Sequence, residues 1–317
     1  MKGWTRRRVL SAVGAGAAVA ALPVRAANPF MFVVPAPPGG GLDFIARTVA
    51  RQFSELRGQP ALVENRAGAS TNIGMEHVIR SPADGNTVLI AGMSTVINDL
   101  LFKLSFNPRK DLRPVIHLAQ DVAVLAVPAD SPIQGAGDLV RVARAKKGGL
   151  NCGGAAGYMS IACRQLGTFV DLELISFSGV GPAVNALLGG HIDMAFVSPE
   201  IALRPHAEAG RIRYIAVSDA LRNTAPVGQV PGFRQLWPDF VAYGVLGAWV
   251  PAATPTPVVE KLNRDLNTIL AMPEVRDTLH AGGVPIVGGT VAAFEEYLRR
   301  ARDDYTRVIA RLKIEPQ

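Results

Sequence analysis

The chain has 317 residues, of which 49% are hydrophobic and 19% are charged, so it can bury a sizeable core and is neither disordered nor fibrous. Its length is typical of about two domains. The formal charge of +7 would suit a nucleic-acid-binding protein, but the first 26 residues hold five of the 33 basic side chains and no acidic one. The remainder is close to neutral, which argues against that class.

The first 26 residues have the pattern of an export signal. Arg6 to Arg8 precede a run of small and apolar residues from Val9 to Leu22, and Val24–Ala26 resembles a signal peptidase cleavage site. The run is short for a membrane-spanning helix, which favours a cleaved signal over a membrane anchor. The arginines are compatible with either Sec or twin-arginine export. We expect a bacterial periplasmic protein that begins near Ala27.

Short apolar runs alternate with amphipathic stretches in the first part of the mature chain. We predict strands at Phe30–Val34, Ala61–Glu64 and Thr87–Ala91, and helices at Asp43–Leu56 and Asn72–Arg80. This alternation is typical of an α/β fold with largely parallel sheets.

A second series of the same kind follows. We predict strands at Val122–Val127, Leu172–Ile175, Ile192–Val197 and Tyr214–Val217, with helices at Asp138–Lys146 and Pro182–Leu188. After a Pro- and Gly-rich loop, the C-terminal third is predicted to be mostly helical. Its helices are expected at Pro257–Leu270, Pro273–Ala281 and Val291–Leu312.

Two such series on one chain predict two lobes with a cleft between them, where ligands preferentially bind. We expect lobe 2 to span residues 122–221. Lobe 1 would combine residues 27–121 with residues 222–317. The chain would then pass between the lobes twice, and the two crossings would act as a hinge.

A glycine-rich junction, VVPAPPGGGLD, runs from Val33 to Asp43. Glycines let the backbone approach a ligand closely, and the free N–H groups at a helix start attract anions, so a carboxylate or phosphate is the expected ligand. Asp43 is either the N-cap of the helix or a direct ligand contact. Dinucleotide binding is disfavoured because Phe44 stands where that fingerprint needs its third glycine.

Two further strand-to-helix junctions repeat this device in the second series, at Asn151–Ser160 and Ser176–Pro182. If both lobes aim such helix starts at one cleft, they would hold an anion from two sides.

Cys152 and Cys163 are interpreted as two buried small apolar side chains, with a disulfide as the alternative. The five histidines show no metal-ligand spacing, and no nucleophile motif occurs, so we expect no metal, no cofactor and no enzyme.

Six segments resemble those of one known family, in the family's order. They are VVPAPPGGGLD, VENRAGASTNIG, SPADGNTVLIAG, NALLGGHIDMAF, LGAWVPAATPTPVVEKLN and MPEVRDTLHAGGVPIVGGT. The chain resembles Bug-type extracytoplasmic solute receptors, the substrate-binding components of tripartite tricarboxylate transporters. The resemblance implies a two-lobed type II periplasmic-binding-protein fold that closes on a small carboxylate. It also implies the transmembrane transporter subunits as partners.

The resemblance also implies the residues that bind the ligand. In lobe 1 they are Pro38, Gly39, Gly40, Gly41, Asp43, Ser94 and Thr95. In lobe 2 they are Ala155, Gly157, Tyr158, Ser160, Phe177, Ser178, Gly179 and Ser198.

The chain departs from the family at charged positions. The frequent P-Y-K-G run is replaced by Ser176–Gly179, which lacks the lysine, and Val197 stands where an acid often follows. These losses favour an apolar or aromatic carboxylate over an amino acid or citrate. Two alternatives stay open, an enzyme that acts on a carboxylate and a signalling receptor that presents its loaded form to a membrane sensor. We expect a monomer.

Overall fold

The computed structural model describes residues 29–154, 157–199, 203–219, 227 and 229–317. The predicted export signal therefore lies outside the described residues, as does Ala155. Within the described part, the chain forms two five-stranded sheets with helices on their faces, which confirms the predicted α/β class. None of the helices described there is long and apolar enough to cross a membrane.

Sheet 1 contains five strands in the order β2-β1-β3-β10-β4, numbered along the chain. Their bounds are β1 Phe30–Val34, β2 Ala61–Asn65, β3 Thr87–Ala91, β4 Leu112–Val122 and β10 Tyr243–Pro251. β1 pairs in parallel with β2 and β3, whereas β10 is antiparallel to both β3 and β4. β10 was not predicted, and the expectation of a mostly helical C-terminal third was incomplete because this buried strand belongs to it.

Sheet 2 has the order β7-β6-β8-β5-β9. Its strands are β5 Val124–Pro128, β6 Leu150–Gly154, β7 Leu172–Ser176, β8 Met194–Val197 and β9 Ile212–Val217. β6 is parallel to β7 and β8, and β5 is antiparallel to β8 and β9. Both sheets are therefore mixed, not largely parallel. The single strand predicted at Val122–Val127 is split, since β4 ends at Val122 and β5 begins at Val124.

Helices cover both faces of each sheet. Their bounds are α1 Gly41–Arg57, α2 Asn72–Ile79, α3 Ser94–Leu101, α4 Pro108–Asp111, α5 Leu139–Ala145, α6 Gly157–Leu166, α7 Val180–Leu188, α8 Arg204–Glu208, α9 Phe233–Leu236, α10 Thr256–Ala271, α11 Pro273–Ala281 and α12 Val291–Arg311. Alternate residues of β1 and β3 face opposite sides. One side packs against α1, α10 and α11, and the other against α2, α3 and α12. The second of these cores continues into lobe 2 through α5 and α6.

The strand directions bring the carboxyl edges of the two sheets together. Because β10 is antiparallel to both neighbours, β4 runs in the same direction as β1 and β3. Its carboxyl end leads through Ala123 directly into β5 of sheet 2. β9 runs with β8, and the chain returns from its end at Val217 to β10. The carboxyl ends of β1 and β3 in sheet 1, and of β6, β7 and β8 in sheet 2, therefore lie at the edges from which the chain crosses. Ligands of α/β sheets bind at such edges.

A disulfide joins Cys152 in β6 to Cys163 in α6, with their Cα atoms 6.1 Å apart. Both residues are fully buried. The interpretation of two unpaired thiols was therefore wrong. The first turn of α6 folds directly onto the end of β6, and this contact brings the second cysteine back over the strand.

Candidate functional site

The loop between β1 and α1 presents backbone donors at the carboxyl edge of sheet 1. Pro38, Gly39 and Gly40 are exposed, and α1 begins at Gly41 with Gly40 as its N-cap and no side-chain cap. The first N–H groups of a helix have no intrahelical acceptor, and the helix dipole attracts anions to this end. A Cβ built on Gly40 meets only the carbonyl oxygen of Pro37, at 4.0 Å. The space in front of this glycine is therefore open to a ligand.

Asp43 organises this loop from within. It lies in the first turn of α1 and is only 4% exposed. Its carboxylate accepts hydrogen bonds from the N–H of Gly39, from Nε of Arg47 and from Nδ2 of Asn65, each at 2.9 Å. The N-cap of α1 is Gly40, and the Asp43 carboxylate reaches back past it to the N–H of Gly39. Of its two expected roles, the N-cap role is therefore wrong. Its commitment to three protein donors supports a loop-holding role.

The hydrogen bonds to Asp43 also decide its charge. Burial alone raises the pKa of this carboxyl, but the hydrogen bonds from Arg47, Gly39 and Asn65 outweigh burial and leave the pKa below its usual value. A carboxyl with a lowered pKa in the folded state stabilises the protein above its unfolded pKa, at about 4. This stabilisation is lost as the pH falls through the folded pKa. The loop is thus held by a charged aspartate at neutral pH.

The two residues predicted at the end of β3 lie at the start of α3. Thr95 is buried, and its hydroxyl donates to the carbonyl oxygen of Gly92 at 2.9 Å. Ser94, the first residue of α3, is half-buried. Since β1 and β3 are parallel neighbours, this helix start lies beside that of α1. Thr95 therefore shapes its own turn, and Ser94 is the more accessible of the two hydroxyls.

A strained turn that the sequence analysis did not select follows β2 at the same edge. Residues 69–71 (Ala-Ser-Thr) have φ values of 45°, 52° and 77°, which side-chain-bearing residues rarely adopt. Nδ2 of Asn98 in α3 donates to the carbonyl oxygen of Ser70 at 2.8 Å. A Cβ built on Gly74 would lie 2.7 Å from the Cβ of Pro35, so this segment packs on the β1–α1 loop. Strained backbone concentrates at functional sites, so we add this turn to the candidate site.

In sheet 2, α6 begins three positions after the end of β6. Gly157 begins the helix with a φ of +53°, a conformation that favours glycine. A Cβ built on Gly154 would lie 2.7 Å from both Cα and Oγ of Ser160, so the first turn of α6 packs tightly on the strand end. Gly157 and Ser160 are half-buried.

The first residue after β7 contacts the end of β6. The N–H of Phe177 donates to the carbonyl oxygen of Gly154 at 2.9 Å, and the Phe177 ring lies against Gly153. Ser178 is exposed. Gly179 is the N-cap of α7, without a side-chain cap, and a Cβ built on it has no neighbour within 4 Å. The start of α7 thus resembles that of α1 on the other sheet.

In lobe 2, Tyr158 and Ser198 are buried, at 4% and 5% exposure, as Asp43 and Thr95 are in lobe 1. Oγ of Ser198 donates to Oδ1 of Asp121 at 3.2 Å, and the Tyr158 hydroxyl bonds the same carboxyl. Asp121 lies at the end of β4, so these two side chains of lobe 2 connect to lobe 1. Asp121 was not predicted as a site residue, and its only signal in the sequence is an acid near the end of an apolar run.

The two carboxyl edges thus carry uncapped helix starts at α1 and α7, with the hydroxyls of Ser94 and Ser178 beside them. Such donors suit a carboxylate or phosphate oxygen. No set of three or more His, Cys, Asp or Glu side chains in the described part of the chain is arranged to hold a metal ion.

Comparison with known proteins shows the family to which this chain is similar. The profile of the tripartite tricarboxylate transporter family receptors matches residues 45–313. Protein BugT of Bordetella pertussis is 31% identical, over 88% of this chain and 90% of its own length.

Solved structures extend this similarity to the fold. The periplasmic binding protein BugD superposes with a TM-score of 0.82 at 22% identity, over 91% of this chain and 99% of its own. An R. palustris protein solved with adipate has a TM-score of 0.80 at 27% identity, over 91% of this chain and 98% of its own. These similarities confirm the expected two-lobed periplasmic-binding-protein fold.

Proposed function

Because the chain belongs to the tripartite tricarboxylate transporter receptor family, we propose that it captures a small carboxylate between its lobes and delivers it to the transmembrane subunits of such a transporter. The main support is that helix starts without a side-chain cap lie at the carboxyl edges of both sheets, beside the crossings, with an exposed N-cap at Gly40 and a half-buried one at Gly179. Backbone N–H groups there bind a carboxylate without any reaction. The chain acts as a receptor and not as an enzyme.

Capture works by hinge closure. Ligand contacts from both lobes stabilise the closed arrangement only to the extent that they are stronger there than in the open one. In this proposal residues 122–221 form lobe 2, and residues 27–121 plus 222–317 form lobe 1. Beside the second crossing, Ser218, Arg234, Tyr243 and Tyr297 contribute to a cavity of about 380 Å³.

The ligand is an apolar or aromatic carboxylate. The lysine frequent in the family is Ser178 here, and the acid is Val197, so the charged partners of an amino acid are missing at these positions. The half-buried Phe177 ring supplies an apolar surface beside the α7 start. The similar R. palustris protein was solved with adipate, a carboxylate with an apolar chain.

The protein works as a monomer in the periplasm after removal of its first 26 residues. Its folded part carries two cysteines joined in a disulfide, which suits an oxidising compartment. Mass spectrometry of the protein from a periplasmic fraction should give an N-terminus near Ala27. A full-length chain in the membrane fraction would contradict the proposed export.

A thermal-shift screen of carboxylates on the mature protein tests the function itself. Adipate and benzoate at about one hundred times their Kd should stabilise the protein by about 2.7 kcal/mol and raise its Tm by about 5–10 °C. Adipamide and benzamide match their size without the charge and should leave the Tm unchanged. The proposal is contradicted if no carboxylate in the screen raises the Tm.

Asp43→Ala tests the loop-holding role. We expect the free energy of unfolding to fall by about 1–2 kcal/mol, because the Gly39 N–H loses a charged acceptor. Ligand affinity should also fall, since the β1–α1 loop is no longer preorganised. Urea unfolding and calorimetric titration measure the two effects.

Asp138 provides the matched control. Its carboxylate accepts hydrogen bonds from the N–H groups of Gln134 and Gly135 and pairs with Arg141, but this loop follows β5 at the opposite edge of sheet 2. Asp138→Ala should cost similar stability and leave ligand affinity intact. Equal affinities of the two variants would argue against the role of Asp43.

A further inference from the structure

A buried carboxyl lies where the chain first passes between the lobes. Asp121 is the second-last residue of β4 and is 8% exposed. Two residues later, Ala123 connects β4 to β5 of the other sheet. No lysine or arginine of the described residues forms an ion pair with Asp121. Burying a charged carboxylate without a cationic partner costs free energy of folding, so the presence of an aspartate at this position requires another explanation.

Its hydrogen-bond partners come from the opposite lobe. Oγ of Ser198, just after β8, donates to Oδ1 of Asp121, and the hydroxyl of Tyr158, in the first turn of α6, bonds the same carboxyl. Both residues follow strands whose loops belong to the candidate ligand site. Asp121 therefore determines where two hydroxyl side chains of lobe 2 are held relative to lobe 1.

The packing around this contact leaves no spare space. A Cβ built on Gly244 of β10 would lie 2.8 Å from Oδ2 of Asp121 and 2.8 Å from Cε1 of Tyr158. Only glycine at this position lets the Tyr158 ring and the carboxyl meet against the strand. The contact is thus built by β4, β10, α6 and the end of β8 together.

Among the described residues, the titratable side chains that face Asp121 are phenols. Besides Tyr158, they are Tyr297 and Tyr305 of α12, and burial raises the pKa of both phenols above the usual value. Further back along β4, burial lowers the pKa of His117 to about 4, which leaves its ring uncharged at neutral pH. With no cation to offset it, burial raises the pKa of Asp121 to about 7, although the hydrogen bonds from Tyr158, Ser198 and the Val122 N–H act in the opposite direction.

We infer that Asp121 positions Tyr158 and Ser198 for the ligand, and that the receptor takes up a proton on Asp121 when a carboxylate binds. This inference rests on the proposed function, and it concerns how that same site is regulated. A ligand anion bound at the loop ends places a second negative charge near a buried carboxylate, which favours the protonated form of Asp121. By linkage, protonation of Asp121 strengthens ligand binding by the same factor.

The test measures the Kd of adipate and benzoate by calorimetry between about pH 6 and about pH 9, where both ligands are ionised. The wild-type affinity should fall about tenfold or more over this range. Asp121→Asn keeps the size and an acceptor oxygen, so its affinity should be independent of pH and close to the wild-type value at low pH. Asp121→Ala and Ser198→Ala should bind more weakly at every pH, because they remove the contact itself.

Asp130→Asn makes the same chemical change at an exposed residue after β5 and should retain the wild-type pH dependence. A ligand-free ¹³C titration, with Asp121 assigned by its absence in Asp121→Asn, should show a midpoint near neutral pH. The proton coupling is overturned if the wild-type Kd does not change with pH, or if the Kd of Asp121→Asn still does. Either result leaves the receptor function standing. Absence of binding by both probes at every pH overturns the receptor function and the coupling with it.

Discussion

Gly40→Val is expected to weaken carboxylate binding by about 100-fold or more while leaving the far-UV circular dichroism spectrum unchanged. The backbone at Gly40 has φ −86° and ψ 174°, which valine adopts without strain, and its Cβ would meet only one atom of the protein, at 4.0 Å. The branched side chain would instead fill the space in front of the α1 start. Loss of one or two charge-assisted hydrogen bonds, at about 1.5–3 kcal/mol each, accounts for the loss of affinity.

Gly135→Val is the matched control for this experiment. Gly135 also has an extended backbone, with φ −164° and ψ 174°, and a Cβ built on it has no neighbour within 4 Å. It lies after β5, at the edge of sheet 2 away from the crossings. Calorimetry with the best ligand of the thermal screen should find wild-type affinity for this variant. Undiminished affinity of Gly40→Val would remove the β1–α1 loop from the site.

Replacing both cysteines by alanine should lower the free energy of unfolding by about 3 kcal/mol. The disulfide closes a loop between residues separated by 11 positions, and the chain-entropy relation for a loop of that length gives about this value. The Tm should fall by about 6–12 °C, as measured by differential scanning calorimetry.

Reduction of the wild-type protein is the control for the double cysteine variant. Wild-type protein unfolded and refolded with a reductant should show a Tm close to that of the variant, and the variant should not respond to the reductant. Thiol titration of the purified, unfolded protein should find no free cysteine before reduction. Two free thiols in protein isolated from the periplasm would contradict the bridge.

Much of the fold follows from local patterns. The strands at Phe30–Val34 and Thr87–Ala91 and the helix at Pro273–Ala281 have their predicted bounds, because turn residues flank clear hydrophobic runs or periods. The glycine-rich junctions were recognisable for a similar reason. Glycine and proline act locally, so a strand end followed by a helix start can be predicted from a few residues.

The features that the sequence analysis missed depend on contacts between distant residues. β10 is a nine-residue strand inserted antiparallel between β3 and β4, and no local pattern predicts that pairing. The disulfide depends on how α6 folds back on β6. Asp121 is exceptional only through burial by β10, α6 and α12. The left-handed turn at residues 69–71 follows Gly68 but contains no glycine itself, and its strain is supported by neighbours such as Asn98.

The position of β10 also sets the order in which a nascent chain can assemble. Sheet 2 comes from one continuous stretch, Val124–Val217, whereas sheet 1 lacks the strand between β3 and β4 until Tyr243–Pro251 has left the ribosome. Sheet 2 can therefore complete its folding first. Until β10 emerges, two apolar strand edges of sheet 1 stay open to pairing with neighbouring chains. Arrival of the last strand ends this aggregation-prone stage of synthesis.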